Sequence, residues 1–289
     1  MSRPQALREG DGIAVVAPSS PFDRDRFERG VRALQGMGFE PRFGEGVYAR
    51  HAGYLAGPDT RRLDELLRAL RDSSARAIVL ARGGYGLLRI ASKIPLGEIS
   101  KPVVGYSDTT VLHELWWRAK VPSVHGPMCT QLGEDASAVA RLRSLLVGAL
   151  PEPLEWKPRT VREGKAEGPL RGGNLAVLAS LCGTPLQPSF RGALVLLEDL
   201  NEPPYRLDRL LTQLLMTGAF VGVKGFVIGD LTSPGEDPAG RTEVVAERLL
   251  SLQVPLVFEG PFGHAGRNLP VLFGAHHELD AGSGRLVIC

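Results

Sequence analysis

Ser107 stands in VVGYSDTT, residues 103–110, where an apolar run climbs to a glycine and a helical pattern, TTVLHELWWRAK, starts at once. A serine there has two readings. It can cap the helix, since serine is among the commonest N-cap residues. It can also be a nucleophile held on a tight strand-to-helix turn, with the positive end of a helix beneath it. Three further strand ends carry unusual residues. IVLARGGYG ends on Arg82, Gly83, Gly84 and Gly86, LVLLEDLNEPPYR carries Glu198 and Asp199, and FEGPFGHAGRN puts His264 in a glycine-flanked loop. Together these are the parts of an acyl-transfer site. A serine hydroxyl is a poor nucleophile until a histidine removes its proton. The histidine needs a carboxylate to fix its tautomer and stabilise the imidazolium. The tetrahedral oxyanion needs N–H donors, and a glycine-rich loop lets backbone approach closely.

Other constellations are weaker. The elbow is not G-x-S-x-G, because Thr109 stands where the second glycine would be, so the α/β-hydrolase fold is disfavoured. The glycines after Arg82 do not spell G-x-G-x-x-G, so a dinucleotide cofactor is not indicated and no cofactor is expected. His276 and His277 are adjacent in an expected strand and point to opposite faces, which prevents them from sharing a metal. No metal site is expected elsewhere. His125 and Cys129 could suggest a thiol nucleophile, but a buried structural cysteine is the stronger reading. Asp108 could accept a phosphoryl group, yet no second acidic cluster with metal-binding spacing accompanies it. Trp116 and Trp117 read as helix packing, with one ring towards an interface.

The elements that must position these residues follow from periodicity. GIAVVAP, ARAIVLA and KPVVGY read as buried strands, separated by the amphipathic DRDRFERGVRALQGMG and by DTRRLDELLRALRD, in which Leu63, Leu66, Leu67 and Leu70 share a face. Strand and helix alternating without hairpin turns predicts an α/β fold, with an N-terminal parallel sheet flanked by helices, flavodoxin-like. Between residues 151 and 170 the texture turns to proline, glycine and charge, which reads as a domain boundary or crossover. The expected organisation is an N-terminal domain over 1–150 carrying the elbow, a linker over 151–170, and a C-terminal α/β domain with a mixed sheet over 171–289. The second domain shows the helix GNLAVLASLCGT, the strand GALVLLEDL, and a helix with Leu207, Leu210, Leu211, Leu214 and Leu215 as one stripe. After these come the strand VKGFVIGD, the helix TEVVAERLLSLQ and the strand VPLVFEG. LPVLFGAHHELDAGSGRLVIC ends the chain as a hairpin turning at DAGSG.

Composition narrows the partners. The chain has 289 residues, a formal charge of +2 and scattered arginines, so neither nucleic acid nor an anionic membrane surface is expected. Three widely spaced cysteines give no disulfide framework or metal spacing and suit a reducing compartment. The first twenty residues lack the apolar core of a secretion signal, and no stretch reaches membrane-span length. A cytoplasmic location is expected.

At these residues the sequence resembles the LD-carboxypeptidase family of serine peptidases, which also contains the microcin-immunity proteins. The matching blocks are APSSP, ARGGYG, VVGYSDTT, HGPM, GGNLAVL, LLEDLNEPPYRLDRLLTQL and GHAGRNLPVLFGA, in family order over nearly the whole chain. The resemblance implies two α/β domains, usually assembled as a homodimer. It implies a triad of Ser107, Glu198 and His264, with Glu202 as rival for the acidic position. The oxyanion donors it implies are the N–H of Asp108 and of a glycine in RGGYG, for which Gly84 is chosen over Gly83. The implied activity is release of terminal D-alanine from murein tetrapeptides in cell-wall peptide recycling. Arg82 is the candidate for the substrate carboxylate. The alternatives are an immunity-type hydrolase cleaving peptidyl or acyl-sulfamoyl nucleotides and a non-catalytic, two-lobed ligand-binding protein. An aromatic contact for a purine would favour the former, and the sequence does not place Trp156 for that role.

Overall fold

The structure is a computed structural model that describes residues 5–231 and 239–289. Residues 1–4, the start of the stretch read for a secretion signal, lie outside the described residues. The chain divides into two compact units. One comprises the chain up to Pro151 together with Leu269–Leu272; the other comprises Glu152–Asn268 and Phe273–Cys289.

The first unit runs β1 (Gly12–Val16), α1 (Arg24–Gly36), β2 (Glu40–Arg42), α2 (Asp59–Arg71), β3 (Ala75–Leu80), α3 (Leu88–Ala91), β4 (Val103–Gly105), α4 (Thr110–Arg118), β5 (Ser123–His125) and α5 (Ala136–Leu146). β2, β1, β3, β4 and β5 lie side by side in that order and pair in parallel. This is the flavodoxin-like order, whose switch point falls between β1 and β3. The apolar runs behave as central strands should, since every residue of β1 and β4 is buried. α1 starts where Asp23 accepts from the Arg26 N–H at 2.8 Å, a side-chain cap on an open helix end. On α2 the buried face is Arg62, Leu66, Ala69 and Leu70, with Leu63 and Leu67 only half-buried. The expected stripe is therefore rotated towards an arginine.

The second unit holds β6 (Leu154–Glu155), β7 (Arg159–Arg162), β8 (Lys165–Asn174), α6 (Leu175–Ser180), β9 (Leu194–Glu198), α7 (Pro204–Met216), β10 (Gly225–Ile228), α8 (Ala239–Leu250) and β11 (Leu256–Phe258). β12 (Val271–Phe273) follows, then β13 (His276–Asp280) and β14 (Arg285–Ile288). Its sheet is mixed: β8, β9, β10 and β11 are parallel, while β7, β13, β14 and β6 add antiparallel edges. The proline-rich stretch 151–170 thus carries β6, β7 and the start of β8. The expected hairpin is β13 and β14 alone. β12 joins the first sheet beside β5, because Gly274 turns the chain at φ +86°. On α7, Leu207, Leu211 and Leu214 are fully buried with Phe190, Phe220 and Phe226 in one core.

Two glycines set the strand ends that matter. A Cβ on Gly172 would lie 1.9 Å from the Leu196 carbonyl oxygen, so only glycine lets β8 approach β9 there. That approach keeps Asn174 opposite Glu198 in the register. A Cβ on Gly105 would lie 2.5 Å from Thr109 Oγ1, and Thr109 is fully buried. Gly105→Ala should therefore cost about 1–3 kcal/mol as an overpacking change. A urea midpoint equal to wild type, with the same slope, would show that the close packing is absent.

Among the described residues no helix is long and apolar enough to cross a membrane. No group of three or more His, Cys, Asp or Glu side chains among them is placed to hold a metal ion.

Candidate active site

In the first unit the carboxyl ends of β1, β3 and β4 carry the elbow and its supports. Ser107 opens a 3-10 turn, Ser107–Thr109, directly after β4, at φ +61°. A non-glycine residue with positive φ is uncommon and strained. The cap position of α4 is Thr109, and no side chain caps either the turn or the helix. Ser107 is therefore not the helix cap. Ala52, Lys120, Asn201, Gln253 and Glu259 also have positive φ, so strain alone does not mark the site.

Asp108 is buried, and its Oδ2 accepts from Ser19 Oγ at 2.6 Å and from the Leu87 N–H at 3.0 Å. Burial pushes its carboxyl pKa up, against the lowering effect of those bonds and of Arg62. Its side chain thus ties the elbow to the loops after β1 and β3, a structural duty that differs from phosphoryl acceptance. Beneath the elbow, His113 meets the Gly105 carbonyl at 3.0 Å and Ser123 Oγ at 2.8 Å. Burial holds this histidine at about 4, so it stays neutral.

The glycine loop lies against the elbow. A Cβ on Gly83 would stand 3.1 Å from Ser107 Oγ, and one on Gly84 would stand 2.3 Å from Ser20 Oγ. The Gly83 carbonyl accepts from the Ser20 N–H at 3.2 Å. No peptide bond among the described residues is cis, so the Gly84 N–H points the opposite way from the Gly83 carbonyl across the same peptide plane. The described main-chain bonds here join Thr109 to Tyr106 and Ser20 to Gly83. They use neither the Asp108 N–H nor the Gly84 N–H. Arg82 is exposed and donates to the Pro21 carbonyl at 2.7 Å.

In the second unit the ends of the parallel strands carry the acid and the histidine. Glu198 closes β9, fully buried, and its Oε2 lies 2.7 Å from His264 Nδ1. Burial alone would lower the His264 pKa. The hydrogen bond and charge of Glu198, with Asp199 and Asp230, outweigh it and hold the pKa above the ordinary histidine value. The Glu198 carboxylate on Nδ1 favours the tautomer that carries its proton there. Glu202 pairs instead with Arg206 at 3.0 Å.

Two carboxylates outside the expected triad, Asp199 and Asp230, hold this arrangement. Asp199 accepts from the Ala176 N–H at 2.8 Å, the Leu200 N–H at 2.8 Å and Asn174 Nδ2 at 3.2 Å. Burial, then the neighbouring Glu198 charge, pushes it up to about 7. Asp230 follows β10, and its Oδ2 accepts from Ala265 N–H at 2.7 Å and Gly266 N–H at 3.0 Å, the two residues after His264. Burial raises its pKa. The signal for Asp230 was available, since IGD is an acid at the end of a parallel strand, where ligands and catalytic groups gather.

The weaker constellations resolve simply. Cys129 is buried, and burial pushes its thiol up to about 12, unsuited to a thiolate nucleophile. His276 is exposed and His277 buried, on opposite faces of β13. Trp116 is fully buried with Nε1 donating to the Lys101 carbonyl at 2.7 Å, and Trp117 is half-buried. Trp156 donates to the Phe258 carbonyl at 3.0 Å and meets Phe262 edge-on, so its ring is tied into its own unit.

Residues 13–126 match the family described as the LD-carboxypeptidase N-terminal domain, and residues 167–279 match the LD-carboxypeptidase C-terminal domain. A murein tetrapeptide carboxypeptidase of Pseudomonas aeruginosa is 32% identical over 302 residues, covering 96% of this chain and 97% of that protein. The crystal structure of a muramoyltetrapeptide carboxypeptidase from Oxalobacter formigenes superposes with a TM-score of 0.83 at 25% identity, covering 95% of this chain and 97% of that one. The microcin C7 self-immunity protein MccF superposes with a TM-score of 0.88 at 22% identity, over 100% of this chain and 98% of that one, a likeness of fold.

Proposed function

Because this chain belongs to the LD-carboxypeptidase family, we propose that it releases the terminal D-alanine from murein tetrapeptides by serine catalysis. The observation that carries the reading is the buried Glu198 carboxylate on His264 Nδ1 at 2.7 Å, the arrangement a general-base histidine requires.

Ser107 is the nucleophile in this reading. His264 Nε2 takes the hydroxyl proton as Oγ bonds to the carbonyl carbon preceding D-alanine. The carbonyl oxygen becomes the oxyanion, accepting hydrogen bonds from the Asp108 and Gly84 N–H groups. Collapse breaks the C–N bond, and the imidazolium returns its proton to the leaving amine. Water, deprotonated by the same histidine, then hydrolyses the acyl-serine and regenerates the hydroxyl. Arg82 binds the free carboxylate of the terminal residue, a task suited to a guanidinium. Work on murein fragments in the cytoplasm, by a homodimer, completes the proposal. Its support is the family resemblance, and light scattering on the purified protein tests the oligomer.

Stereochemistry tests the substrate. An L-terminal residue would turn its methyl towards the wall and displace the scissile carbonyl from Ser107. A displacement of about 1 Å costs roughly a hundredfold in rate. The tetrapeptide ending in D-alanine should therefore be cleaved at least about a hundredfold faster, in kcat/KM by amino-acid release, than its L-alanine epimer. Equal rates would remove this reading. Inactivity on both, with cleavage of an acyl-sulfamoyl nucleotide, would select an immunity-type hydrolase.

A further inference from the structure

The glycine loop after β3 is gripped from below by a charged residue that a solvated helix would not need. Arg62, on α2, is fully buried. Its Nη1 donates to the carbonyls of Pro18 and of Gly86, the latter at 2.9 Å, and its Nη2 pairs with Asp59. A Cβ on Gly86 would stand 2.6 Å from Arg62 Nη1, so this glycine is shaped around the guanidinium. One side chain thus joins the loop after β1, through Pro18, to the loop after β3, through Gly86. The next residue along each loop, Ser19 and Leu87, donates to the Asp108 carboxylate. Arg62 and Asp108 therefore hold the same two loops through neighbouring groups. Ser20 donates its N–H to the Gly83 carbonyl, and its hydroxyl oxygen accepts from the Tyr85 N–H at 3.1 Å. The Ser20 bonds fix the peptide planes on either side of Gly84, and those of Arg62 and Asp108 fix the Gly86–Leu87 plane two residues on.

Burying a guanidinium is costly unless its donors are satisfied. A planar fork that reaches two carbonyls and a carboxylate at once is something lysine cannot reproduce. We propose that Arg62 is a positioning residue for transition-state stabilisation, holding the loops after β1 and β3 so that the Gly84 N–H is fixed towards the developing oxyanion. The proposal rests on Ser107 as the nucleophile, which turnover by wild type and by Ser107→Ala tests separately. Donors aimed at a charge that appears only in the transition state affect kcat rather than substrate binding.

The test is D-alanine release from the murein tetrapeptide by the full chain carrying Arg62→Lys, with competent active sites counted by fluorophosphonate labelling. kcat per labelled site should fall about ten- to a hundredfold, with KM within about twofold of wild type. Affinity for a peptidyl boronate, which forms a tetrahedral adduct, should fall by the same factor as kcat. Asp59→Asn removes the partner of Arg62 at the half-buried end and leaves the buried contacts in place. It should give a smaller loss of the same kind and serves if Arg62→Lys fails to fold. Wild-type kcat in the folded variants, a loss confined to KM, or unchanged boronate affinity would each overturn the proposal.

Discussion

Ser107→Ala should abolish turnover while leaving the fold intact, lowering kcat by about ten thousandfold or more. Ser107 is not the helix cap, since Thr109 stands at that position and no side-chain cap is made. Removing its hydroxyl therefore costs no capping bond, and the left-handed φ of +61° is one that alanine also tolerates poorly rather than newly. Members of a triad act as a unit, so His264→Ala and the Ser107/His264 double variant should lose a similar factor rather than the product of two. The check is kcat on the tetrapeptide beside thermal unfolding of each variant. A Ser107→Ala protein with wild-type melting and a tenth of wild-type kcat would leave the serine a purely structural part.

The second large effect separates two carboxylates. Glu198→Gln keeps the shape at the end of β9 but removes the charge that stabilises the imidazolium, and about a thousand- to ten-thousandfold loss in kcat is expected. Glu202→Gln removes the partner of the half-exposed Arg206 across 3.0 Å, and the loss should stay within a few-fold. The pH profile adds a sign. In the wild type, burial lowers the His264 pKa but Glu198, Asp199 and Asp230 raise it further, to a net value above the ordinary one. The free base is present only above that raised pKa, so kcat/KM should fall as pH drops through a value above about 6.5. Removing the Glu198 charge should move that limb down in pH. The opposite ranking of the two variants, or a limb that stays in place, would transfer the orienting role away from Glu198.

Long apolar runs made much of this fold legible. β1, β4, β9, β10 and β11 are buried along their whole length and β3 at all but Arg76, and such strands are readable as mostly apolar runs. β5 is only Ser123, Val124 and His125, and β6 and β7 lie among prolines and charges at the edges of the mixed sheet. Edge strands bury little, so their pattern is faint. β12 was read with the terminal hairpin because its apolar residues run into it, and only the positive φ of Gly274 separates the two. Ser107, Glu198 and His264, the residues proposed for catalysis, are legible as candidates because each closes a strand or follows one, where ligands gather in parallel sheets. Arg62 was hidden, since an arginine on an amphipathic helix reads as solvent-facing. Its burial depends on carbonyls from Pro18 and Gly86, distant in sequence, which no local period reports. Asp230 is legible as a strand-end acid, but its partners are the main-chain N–H groups of Ala265 and Gly266, which carry no residue signature.

The most direct measurement maps where a fluorophosphonate bonds to the full-length protein, by mass spectrometry of its peptides, across a pH series. A single adduct on Ser107 is expected, absent from Ser107→Ala and strongly slowed in His264→Ala, with a labelling rate that rises as His264 loses its proton. An adduct on another residue, or full turnover of the tetrapeptide by protein that carries the adduct on Ser107, would contradict catalysis by Ser107.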